Sequence, residues 1–61
     1  MPNLTTKELT GIEDQLSSEK NLVLKFSMYA SSTQDPELRS KLTQISDKHQ
    51  QHFDKLYSLL G

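Results

Sequence analysis

Three ionisable side chains, Glu19, His49 and His52, stand at positions where the surrounding pattern calls for leucine or isoleucine. Two imidazoles three residues apart point the same way from a helix. A carboxylate on a facing helix then completes a three-ligand set suited to zinc or another divalent metal. The same residues admit two plainer uses. A buried glutamate hydrogen-bonded to histidine fixes helix register and oligomeric state, as buried polar groups do in some coiled coils, and histidine protonation supplies a pH switch. The leading expectation is the structural pair with no cofactor, and the metal is the alternative.

Little else in the chain carries chemistry. There is no cysteine, so thiolate metal sites and a cysteine nucleophile are excluded and the redox compartment is left open. No serine or threonine sits in a nucleophile elbow, and two glycines do not make a phosphate-binding loop. Tyr29 and Tyr57 read as rings at the edge of a bundle with their hydroxyls in water. Lysines alternate with acids such as Glu13, Asp14, Asp47 and Asp54, as on a solvated helix surface. The expectation is a protein that is not an enzyme.

Two helices must position the three residues. Thr5-Thr6-Lys7-Glu8 fits a capping box, which starts the first helix at about residue 5. Apolar residues then recur at Leu9, Ile12, Leu16, Val23, Phe26 and Ala30 in steps of three and four, interrupted only at Glu19. Gly11 costs up to about 1 kcal/mol against alanine but is tolerated. The helix runs to about residue 31 and a turn occupies about 32–35. Asp35-Pro36-Glu37 supplies an N-cap, a proline at the first helical position and an acid at the positive helix end. The second helix spans about 36–60, with a seam at Leu38, Leu42, Ile45, His49, His52, Leu56 and Leu59. So short a connection makes the helices antiparallel neighbours. Counting outward from a fold-back near Thr33, Glu19 falls level with His49 and within a turn of His52, so the three form one polar layer.

The expected fold is all-α: one domain, residues 1–61, forming an antiparallel two-helix hairpin. A lone chain of this size buries only about 60% of the surface its unfolded form exposes, and no disulfide compensates. The charged fraction is 25%, the hydrophobic fraction 33%, the net charge -1 and the pI near 6.0. This is no electrostatic footprint for nucleic acid. No apolar stretch approaches the roughly 20 residues that span a bilayer. The start, Met1-Pro2-Asn3-Leu4, lacks the basic and apolar regions of a signal peptide, so synthesis in the cytoplasm without one is expected. Leu22, Val23, Leu24, Phe26, Met28 and Tyr29 make the second half of helix 1 apolar nearly all round, and Phe53, Tyr57 and Leu60 widen the stripe of helix 2. Helices of this kind are covered on several sides. Two hairpins are therefore expected to pair into a homodimeric four-helix bundle, with an adaptor that binds another helix through Leu24 and Met28 as a rival.

The runs Asn3-Leu4-Thr5-Thr6-Lys7-Glu8-Leu9, Ile12-Glu13-Asp14-Gln15-Leu16, Glu19-Lys20, Asp35-Pro36-Glu37-Leu38 and Lys48-His49-Gln50-Gln51-His52-Phe53, in that order and spacing, resemble the short clostridial spore coat proteins of the coat-F family. The resemblance covers nearly the whole chain. It implies a structural component of the spore coat, with other coat proteins as partners and a fold similar to half of a ferritin-like bundle. Ferritin-like iron proteins carry Glu-x-x-His motifs, whereas the residue three before His49 is Ser46. The bridging carboxylate is missing, so di-iron chemistry is not expected.

Overall fold

The computed structural model describes residues 3–61; the segment Met1-Pro2-Asn3-Leu4, from which no signal peptide is expected, lies partly outside them. Two helices account for nearly all of it: α1, Thr6–Ser32, and α2, Pro36–Ser58. Thr5 is the N-cap of α1. Its hydroxyl oxygen accepts from the Glu8 backbone N–H at 3.0 Å, and the Glu8 carboxylate accepts from the Thr5 N–H at 3.0 Å. Both halves of the expected capping box are present, and each satisfies a backbone donor that a helix start leaves open. At the head of α2 the Asp35 carboxylate accepts from the N–H groups of Glu37 and Leu38, with Pro36 opening the helix. Helix α1 lies one residue later at both ends than the expected 5–31, α2 ends two residues before the expected 60, and Leu59-Leu60 form a closing turn.

The turn is only Thr33–Asp35, and its tightness has a cause outside α1. The last turn of α1 has no basic residue of its own. Arg39 reaches back from α2 instead, donating through Nε to the Ala30 carbonyl at 3.1 Å and through a terminal nitrogen to the Thr33 carbonyl at 2.6 Å. A cation thus meets the negative end of α1 and occupies carbonyls the helix cannot use.

The helices pack as an antiparallel all-α hairpin with a thin core. Ala30 is the one buried apolar residue among those described, and the other two buried residues are Glu19 and Ser46. Leu9, Ile12, Leu16, Val23, Phe26, Leu42, Phe53, Leu56 and Leu60 line the seam half-buried. On α1 this is the expected line. On α2 it is rotated: Ser46, Phe53 and Leu60 turn inward, while Leu38, Ile45, His52 and Leu59, expected in the seam, are exposed. The reason is steric. A small serine at 46 lets the backbones approach, and the closest line of α2 passes through it rather than through the bulkier Ile45. Among the described residues no helix is long and apolar enough to cross a membrane.

Candidate metal centre

Glu19 projects from the middle of α1 into the seam, where its side chain is 7% exposed. A carboxylate removed from water needs compensating partners, and it has two. One oxygen, Oε1, lies 2.7 Å from His49 Nδ1, and the other, Oε2, lies 3.2 Å from His52 Nδ1. With a proton on its Nδ1, His49 donates to the carboxylate, while His52 Nδ1 lies within ion-pair distance of the other oxygen without hydrogen-bond geometry. The polar layer expected from counting outward from the turn is therefore formed by the three residues named for it.

The two histidines sit in different surroundings. His49 is half-buried, and its ring stacks on Phe26 with centroids 6.0 Å apart and planes at 12°. That contact fixes the imidazole plane while Glu19 fixes its tilt. His52, three residues on, stands edge-on to His49 at 5.9 Å and 84°. Its side chain is 60% exposed, so it is not the core residue its spacing suggested. Beside it runs a shallow, largely apolar groove walled by Lys55, Leu56 and Leu59. One candidate ligand atom from each of Glu19, His49 and His52 can be chosen so that all lie within 4.8 Å of one another, a grouping that hydrogen bonding alone or a bound cation can use.

A second polar contact lies one turn nearer the hairpin bend. The Ser46 hydroxyl donates to the Val23 carbonyl at 3.1 Å and sits 2.8 Å from the Ser27 hydroxyl. In the sequence Ser46 stood out only as the place where a bridging carboxylate is missing. Here its hydroxyl is committed to α1, and the residue is buried against that helix. The signal that could have found it is the position itself: residue 46 lies three before His49, on the line facing Val23 and Ser27.

No curated protein and no solved structure matches the chain. The family comparison does: residues 10–60 match the Coat F domain. The match covers α1 from its second turn, the bend and all of α2, and so contains Glu19, Ser46, His49 and His52. The chain therefore belongs to the Coat F domain family of spore coat proteins.

Proposed function

We propose that this protein is a structural, non-enzymatic component of the spore coat that acts by pairing with a second copy of itself into a four-helix bundle. The observation that carries the reading is an exposed apolar stripe on α2. Leu38, Ile45 and Leu59 are 44%, 38% and 46% exposed, and with His52 they recur every seven residues. That repeat keeps one line of a helix facing a neighbour along its whole length. By helical phase, Leu22 and Tyr29, also seven apart, flank the same side of α1.

A second copy is the occupant this face suits. The hairpin measures 46 × 14 × 10 Å, one helix layer thick. A face of 46 × 14 Å offers roughly 600 Å² per copy before side chains are added, close to the about 800 Å² per partner of a standard interface. A twofold axis needs only one self-complementary patch, and the apolar stripe can meet its own copy with the bordering Lys41, Lys48 and Lys55 left at the solvated rim.

The test is mass in solution with a variant beside it. Ile45→Glu places a charge on the outer stripe without touching the Glu19 layer. The wild type is expected to sediment as a dimer at micromolar concentration and the variant as a monomer with reduced helix content. A wild type that is monomeric and fully helical contradicts the proposal. Leu24 and Met28, exposed on the back of α1, favour a second contact, with another coat protein, once the dimer has formed.

A further inference from the structure

We propose that Glu19, His49 and His52 together hold a divalent transition-metal ion of the zinc class. The argument begins with what a register pin does not require. Glu19 is buried and needs one strong partner, which His49 supplies at 2.7 Å. His52 is largely in water, so its own hydrogen bonds are available from solvent. Nevertheless its Nδ1 lies 3.2 Å from the second carboxylate oxygen, without the geometry of a hydrogen bond. Ordering an exposed imidazole costs side-chain entropy and does little for a pair already made. Convergence of both rings on the two oxygens of one carboxylate is what a ligand set requires.

The dimensions fit a small cation. Zinc bonds of about 2.0–2.1 Å in a tetrahedron place ligand atoms about 3.3 Å apart. The two N···O separations, 2.7 and 3.2 Å, run to different carboxylate oxygens. A cation bound by both Nδ1 atoms and the carboxylate takes the place of any Nδ1 proton and widens the shorter contact by about 0.6 Å, within a grouping whose ligand atoms already lie within 4.8 Å of one another. Two imidazoles and one carboxylate form the borderline donor set that selects zinc, iron or cobalt over magnesium and calcium, which prefer all-oxygen sites. Three protein ligands leave a further position, and the open side at His52 gives it to water. The support is rigid: Glu19 and the His49–His52 pair stand mid-helix on packed elements, and Phe26 stacks on one ring. The inference does not depend on dimerisation, because all three ligands belong to one hairpin.

Zinc titration of the untagged, chelator-stripped full chain by calorimetry, with cobalt(II) absorption reporting coordination geometry, tests the site. His52→Ala is the deciding variant because the side chain it removes is exposed and the hairpin is expected to keep its helix content by circular dichroism. Glu19→Gln, nearly isosteric, is the second. Stoichiometric zinc on the wild type, with affinity lowered about tenfold or more in His52→Ala, is the expected result. It is accompanied by a zinc-dependent rise in thermal midpoint that the variant lacks. A wild type that takes up no stoichiometric zinc overturns the proposal, and so does a folded His52→Ala that binds zinc as tightly as the wild type.

Discussion

At the scale of single residues, the interior of this hairpin is decided by one carboxylate. Glu19 is more buried than any leucine in the seam, and what makes it tolerable is the His49 imidazole 2.7 Å from one of its oxygens. Removing one partner from a buried ionic contact costs more than the contact is worth, because the desolvated group is left behind. Metal-free His49→Leu is accordingly expected to lose about 1–3 kcal/mol of stability, and Glu19→Leu added to it is expected to recover most of the loss. Urea denaturation of the two single variants and the double variant closes the cycle, and strictly additive effects contradict the expectation. This layer was legible in the sequence because it rests on two simple quantities, the position of the bend and the rise of a helix. The Ser46 contact was not. A serine in a helix gives no sign of whether its hydroxyl faces water or a carbonyl of the opposite helix, and only the close approach of the backbones settles it.

At the scale of the helices, local chemistry at the ends does most of the work, and it was readable in advance. The capping box at Thr5 and the Asp35-Pro36 start are short-range signals whose partners lie within three residues. The Thr5 backbone and side chain, by donating to the Glu8 carboxyl, hold its pKa below the ordinary 4.5, against a small opposing effect of desolvation. A carboxyl whose pKa is lowered by folding adds stability above its unfolded value and loses it as pH falls through the folded one. Helix content at the start of α1 is therefore expected to decline as pH drops below 4.5, and Glu8→Gln, which keeps the cap but not the charge, is expected to flatten that part of the titration. Amide exchange of residues 6–9 against pH measures it. Gly11 offers a simpler case: a Cβ there meets nothing within 4 Å, so Gly11→Ala is expected to stabilise the hairpin by about 0.5–1 kcal/mol, read as a raised denaturation midpoint. The Arg39 cap was out of reach of the sequence, because its acceptors belong to the other helix and depend on how tightly the bend closes. The rotation of α2 was missed for a related reason. The stripes 38-45-52-59 and 42-49-56 adjoin on one face, and periodicity gives their common direction without saying which meets the partner helix.

At the scale of the whole molecule, the dimensions are those of an elongated hairpin one helix layer thick. The radius of gyration is 14.3 Å, against about 10.5 Å for a compact chain of this length. The accessible surface is 4787 Å², where a compact monomer of 7.0 kDa exposes roughly 4,000 Å². An elongated hairpin with a two-sided apolar surface has stability in reserve only if that surface is covered, and the proposed pairing with a second copy would cover it. Sedimentation equilibrium of the full chain across a hundredfold range of concentration addresses this most directly. A mass of twice the chain, with helix content falling together with the dimer on dilution, is the predicted result. A concentration-independent monomer that keeps its helices would contradict it.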